Sequence, residues 1–250
     1  MTKVFNRLTA MSFRNSITIV ASPRPRLGKT LLARLLLDYH LHEGRAVRGF
    51  DLNTGDSALA QFLPEHVTAS DIGSVQGQMA LFDALIAADD TFKVVDLGHE
   101  SFQSFFALAN QIGFTGEARR RGLAPVILFM ISPDRVSVDA YRSLRDWFPR
   151  ATLSPVHNEM LGTAQHRDKF PTSGSSAAQL RFPVLAPGLR KYIDKPPFSF
   201  SSAQLANARD IPLDAHTELQ RWIRKIHLEF RELDLRILLA DLQSAIRLGS

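Results

Sequence analysis

Apolar positions along the chain follow two alternating rhythms. Short apolar runs at 17–20, 45–51, 91–96, 124–132, 151–156 and 179–185 are rich in Val, Ile and Phe, and Gly, Pro, Asp or Asn bound most of them, so they read as strands. Between them, apolar residues recur in three- and four-residue steps and predict helices over 29–42, 74–88, from 101 onward and over 134–145, with a short helix and loop over 57–66. The run APVILFMIS at 124–132 is the most apolar and fits a buried central strand. Strand and helix alternating in this way predict a three-layer α/β fold with a mainly parallel sheet, whose ligand lies at the carboxyl ends of the strands.

The rhythm changes near residue 195. Residues 195–213 are rich in Pro, Ser and Phe and read as an irregular connection. From Asp214 onward, Leu219, Ile223, Ile226, Phe230, Leu233, Ile237, Leu242 and Ile246 form a helical stripe, with Arg221, Arg224, Lys225, Arg231 and Glu232 off it. That is one long amphipathic helix or two in series. Such a stripe can pack on its own domain, pair with a partner chain or lie on a membrane; Glu229, Glu232, Asp234 and Asp241 argue against an anionic bilayer and favour packing or dimerisation. The expected organisation is a tail at 1–15, a nucleotide-binding domain at 16–213 and a helical extension at 214–250.

Composition narrows the chemistry. The 250 residues include no cysteine, which excludes disulfides, thiolate metal sites and cysteine nucleophiles. The formal net charge of +5 favours an anionic partner such as nucleic acid or an acidic membrane surface. Residues 1–16 lack the apolar core of a signal peptide, and no stretch approaches the roughly 18 unbroken apolar residues of a membrane span, so a cytoplasmic protein is expected, with Met1 or Met11 as its start.

The candidate site opens at the first strand, which runs through SPRPRLGKT into a leucine-rich helix. Strand, tight loop and Gly28-Lys29-Thr30 before a helix supply what a phosphate needs. The backbone wraps an oxyanion, Lys29 reaches the β and γ phosphates, and the Thr30 hydroxyl ligates Mg²⁺. Pro23 stands where the ordinary G-x-x-x-x-G-K-[ST] pattern begins with glycine. The segment from Arg24 to Thr30 instead resembles K-G-G-x-G-K-T, the deviant Walker A loop of the ParA/MinD family, with Arg24 in the place of that family's signature lysine. Downstream, VVDLGHESFQSFF and a later strand ending in Asn-Glu look closest to the StbB/TraL-like proteins of plasmid maintenance and conjugation.

The resemblance implies an ATP- and Mg²⁺-dependent homodimer that binds DNA or a DNA-bound partner protein. Arg24 and Lys29 would act on the phosphates, and Arg26, Leu27, Gly28, Lys29, Thr30 and Leu31 would line the nucleotide. Asp96, at the end of a hydrophobic strand, would hold a water of the magnesium shell beside Thr30, with the strand-terminal acid Asp51 nearby. Asn53 falls 24 residues after Lys29, where the family carries the aspartate that orients the attacking water. An amide can hold a water but cannot take its proton, so turnover would be slow or absent; Asn53-Thr54-Gly55 can equally be an ordinary turn. Asn158 would read the adenine edge or simply cap a helix. Gly98-His99 falls at the family's γ-phosphate switch, though a solvated loop histidine fits as well. Arg119, Arg120 and Arg121 either grip DNA phosphate or form a solvated helix end. Two other classes remain open: a dethiobiotin-synthetase-like ligase or kinase of the same superfamily, and a degenerate scaffold acting through protein contacts.

Overall fold

The strand that precedes the loop sets the architecture through its two-residue period. In β1 (Ser16–Ala21), Ile17, Ile19 and Ala21 face one apolar layer and Val20 faces the other. Both faces are therefore covered, as a central parallel strand requires. The computed structural model describes residues 16–53, 55, 58–149, 151–162, 166, 168–171, 179–204 and 211–248. After β1 come α1 (Lys29–His42), β2 (Val47–Asp51), α2 (Ala58–Phe62), β3 (Val67–Ala69), α3 (Val75–Ile86), β4 (Phe92–Asp96), α4 (Phe102–Gln111) and α5 (Phe114–Arg120). The chain continues through β5 (Ala124–Met130), α6 (Arg135–Trp147), β6 (Thr152–Asn158), a 3-10 turn (Glu159–Leu161), β7 (Leu180–Phe182), α7 (Pro187–Ile193), α8 (Phe200–Gln204) and α9 (Leu213–Leu248).

The seven strands form one sheet in the order β3-β2-β4-β1-β5-β6-β7, with every neighbouring pair parallel. The three-layer α/β expectation holds. The chain leaves β1 toward β2 with α1 on one face, and later leaves β4 toward β5 with α4 and α5 on the other. Connections therefore diverge at the carboxyl ends of β1 and β4, which opens a crevice at that point. Helix α1 is buried nearly all round because the sheet lies beneath it and α8 and α9 lie above.

Several elements differ from their sequence expectation. Strand β3 lies just beyond the helix and loop expected over 57–66, in a stretch with no expected strand, because three residues of which only Val67 is buried give no periodic signal. The helix from 101 divides at Gly113, whose φ of +64° ends α4 and starts α5. Helix α8 forms inside the expected irregular connection, where Asp38 of α1 accepts the backbone N–H groups of Phe200 and Ser201. The C-terminal stripe is a single helix. Its first half, Leu219 to Leu233, joins the same apolar layer as the α1 leucines, while Leu228, Leu235 and Leu239 are exposed. Two of its acids are spent on this domain: Glu229 pairs with Arg181, and Asp234 accepts the Tyr39 hydroxyl at 3.1 Å. Among the described residues no helix is long and apolar enough to cross a membrane.

Two histidines are buried around α1: His40 on α1 itself and, on α9, His227, which lies edge-on to Tyr39. His40 stacks on Phe92 at 4.2 Å, and its Nδ1 lies 3.0 Å from the Arg45 guanidinium. Arginine can only donate, so His40 is neutral with Nδ1 as acceptor. Burial, reinforced by Arg45, pushes its pKa down to about 3, and burial pushes His227 down to about 4. Both pKa values lie below the unfolded value, so this stability is complete above about pH 6.5 and is lost as the unfolded chain takes up protons below it. Urea unfolding at pH 7.5 and pH 5 should show a lower midpoint at pH 5. The difference should shrink in His40→Gln, and an unchanged difference would remove His40 as a cause.

Candidate functional site

Register brings two carboxylates together. Strands β2 and β4 are neighbours, and Asp51 pairs with Asp96 at their carboxyl ends. Asp96 shares the parity of Val94, which packs in the α1 layer, whereas Val95 faces the opposite one. Its side chain therefore meets the start of α1, where the Thr30 hydroxyl donates to Asp96 Oδ2 at 2.7 Å. Asn53, two residues beyond β2, bridges the pair: its Nδ2 donates to Asp51 Oδ1 at 2.7 Å and to Asp96 Oδ2 at 2.9 Å. Asp51 also accepts the backbone N–H of Asn53 at 3.0 Å and of Ala60 at 3.2 Å, so it anchors α2 as well.

Asp96 is fully buried, and its Oδ1 has no hydrogen-bond partner among the described residues. Burial pushes its carboxyl up to about 6. The Thr30 hydrogen bond opposes that shift, neighbouring Asp51 adds to it, and Asn53 and Lys29 oppose it. A buried carboxylate oxygen left without a donor is costly unless a cation or donor completes it. With one acid and one hydroxyl converging, the donor set suits Mg²⁺ shared with phosphate oxygens rather than an all-protein cage. No group of three or more acidic or histidine side chains forms a metal cluster among the described residues.

The loop between β1 and α1 wraps above this pair. Gly28 has φ +91°, which favours glycine, and a Cβ there would lie 3.2 Å from the Phe182 ring and 3.3 Å from the Asn158 amide nitrogen, close enough that both would have to give way. Arg26 also sits in the left-handed region at φ +59°, at the position of the second glycine in K-G-G-x-G-K-T. The loop thus keeps a glycine-type bend on an arginine, a strain of about 1 kcal/mol. Lys29 opens α1, is buried, and donates from Nζ to the Arg24 carbonyl at 2.8 Å. Burial lowers its pKa, and the charge on Asp96 opposes that shift.

The structure gives several expected residues specific neighbours. Arg24 donates from Nε and Nη2 to Asp134 Oδ1 at 2.9 and 2.7 Å, so its charge is held within the same chain. Asp134 also caps α6 through the Ser137 N–H; partial burial opposes its ionisation, but hydrogen bonds from Arg24 and the 132–137 segment hold it down to about 2. Leu27 and Leu31 pack against the α1-side core. Asn158, at the end of β6, donates to the Leu27 carbonyl and accepts the Met160 N–H. His99 is exposed. Arg119, Arg120 and Arg121 lie at the end of α5 that leads into the start of β5, at the amino ends of the strands and so opposite the loop, and Glu117 binds both Arg120 and Arg121. Thr54 and Asp56 lie outside the described residues.

Sequence reading missed the pairing of Asp134 and, at Gly98, which it placed at the γ-phosphate switch, the close approach to Leu52 and Asn53. Asp134 carries the ordinary signal of a helix N-cap, but nothing in the sequence links it to Arg24, 110 positions away. At Gly98 a Cβ would come within 2.8 Å of the Leu52 carbonyl, so the segment after β4 can approach Asn53 closely. No family model matches the chain, and no curated protein matches it in sequence.

The electrostatics predict a trade between stability and binding. Asp96→Asn removes a buried charge beside Asp51 and keeps the acceptor for Thr30, so thermal unfolding at pH 8 should shift upward. A fall in Tm would mean that the Asp96 charge is already compensated in the free protein.

Proposed function

We propose that this chain is a ParA/MinD-like nucleotide switch: it binds Mg-ATP at the β1–α1 loop, dimerises when loaded, and acts on DNA or a DNA-bound partner in segregation, positioning or conjugative transfer, with slow turnover or none. The observation that carries this reading is the convergence of the left-handed Gly28 loop, buried Lys29, and the Thr30–Asp96 pair with its unpartnered carboxylate oxygen.

Each residue has a definable task. Backbone N–H groups at the start of α1 and the Lys29 ammonium would bind phosphate oxygens, Lys29 exchanging the Arg24 carbonyl for them. Thr30 and Asp96 would hold Mg²⁺, which when bound neutralises phosphate charge. Three features favour slow turnover. Asn53 has no proton-accepting carboxylate and its amide is engaged with both Asp51 and Asp96. Pro25 removes an N–H from the loop and fixes its own φ. Arg24 must leave Asp134 before it can serve a phosphate, whether its own or a partner's. The net charge of +5 supports an anionic partner, although the Arg119–Arg121 cluster lies at the amino ends of the strands, remote from the loop, and is partly neutralised by Glu117.

Light scattering with Mg-ATP, combined with phosphate release measured with and without DNA, tests this function. ATP-dependent doubling of mass with little phosphate release is expected. A monomer under all conditions would contradict the switch; rapid phosphate release that depends on a small-molecule co-substrate would favour a ligase, and co-substrate-dependent ADP formation without phosphate release a kinase. The geometry also predicts the behaviour of Asn53→Asp. A third carboxylate replaces the donor between Asp51 and Asp96, so Tm should fall by several degrees without Mg²⁺ and recover with it. An unchanged Tm would place Asn53 outside the acidic pair.

A further inference from the structure

We propose that Asn158 is a positioning residue that holds the phosphate loop in shape, and that the base is read elsewhere. This rests on the nucleotide-binding reading above. Asn158 is buried at the carboxyl end of β6, where the chain turns into the 3-10 segment. Its amide works at both ends. Nδ2 donates to the Leu27 carbonyl at 2.9 Å, across 131 positions of sequence, while Oδ1 accepts the Met160 N–H at 3.0 Å. Leu27 precedes Gly28, and the same Nδ2 would lie only 3.3 Å from a Cβ on that glycine. The amide therefore sits beneath the loop, in contact with the residue whose left-handed backbone turns the chain into α1. Pulling the Leu27 carbonyl toward the core orients the peptide unit that carries the Gly28 N–H, one of the groups a phosphate would meet. A side chain held in this way is committed to the loop and is poorly placed to face a base edge.

The two roles separate by ligand. Asn158→Asp keeps the acceptor for Met160 but turns the donor toward Leu27 into a second acceptor, so it breaks the loop contact with little change of shape. Asn158→Ser, uncharged and too short to reach Leu27, serves if the aspartate variant does not fold. Calorimetry with ATP, GTP and inorganic tripolyphosphate, each with Mg²⁺, should show all three weakened by the same factor of about ten, the effect of losing one buried hydrogen bond. Amide exchange at residues 26–28 should also quicken without ligand. Loss of ATP affinity alone, with tripolyphosphate unaffected, would make Asn158 a base reader and overturn the proposal. So would unchanged exchange in the loop. If the wild-type protein binds none of the three ligands, the nucleotide reading falls, and the exchange comparison still decides whether Asn158 holds the loop.

Discussion

Two carboxylates in register, buried side by side at the ends of β2 and β4, are the constraint that the site is built around. Like charges in a poorly solvated place repel, and neither can be left bare. Local structure answers this with donors: Asn53 between the two acids, the Thr30 hydroxyl on Asp96, and the Asn53 and Ala60 N–H groups on Asp51. Thr30 is available because α1 starts at the end of the loop, and α1 stays there because α8 and α9 bury its far side. The remaining deficit is at Asp96 Oδ1. A cation supplied with a phosphate would remove it, which ties the electrostatics of the free protein to the proposed ligand.

Above the acids, the loop is shaped by restraint more than by freedom. Glycine-rich phosphate loops achieve their curvature without steric penalty. Here only Gly28 has that latitude, while Arg26 adopts the left-handed bend under strain and Pro23 and Pro25 stiffen what precedes it. Side chains outside the loop hold the shape: Asn158 at the Leu27 carbonyl, Asp134 at the Arg24 guanidinium, and Phe182 and Met130 packed beneath Gly28. All four belong to β5, β6, β7 or the start of α6, so the loop is coupled to the half of the sheet away from the acidic pair. A phosphate drawing Lys29 from the Arg24 carbonyl would disturb that coupling directly.

Much of this was legible in the sequence because it is local. The two-residue period of Ile17 to Val20 and the Gly28-Lys29-Thr30 transition lie within a few residues of what they specify, and α1 occurs over the expected 29–42. Asp96 was legible as a strand-terminal acid, but its hydrogen bond to Thr30 was not. Features that depend on distant partners were not legible. Strand β3 exists because β2 offers an edge, α8 because Asp38 accepts its first N–H groups, and the Arg24–Asp134 pair because β5 lies next to β1. The stripe on α9 announced a helix but not its partner, since leucines at helical spacing fit a domain core or a second chain equally. Asn158 carried the right chemistry for a cap or a base edge; the cap on Met160 is local, whereas the hydrogen bond to Leu27 depends on a partner 131 positions away.

Thr30 and Asp96 are proposed to form half of a magnesium site completed by nucleotide phosphates. Calorimetric titration of ATP with and without Mg²⁺, on the wild-type chain and on Asp96→Asn, tests it most directly. The account predicts that Mg²⁺ tightens ATP binding at least tenfold in the wild type and leaves the variant nearly unaffected. An ATP affinity indifferent to Mg²⁺ in the wild type, or equally Mg²⁺-dependent in both proteins, would contradict it.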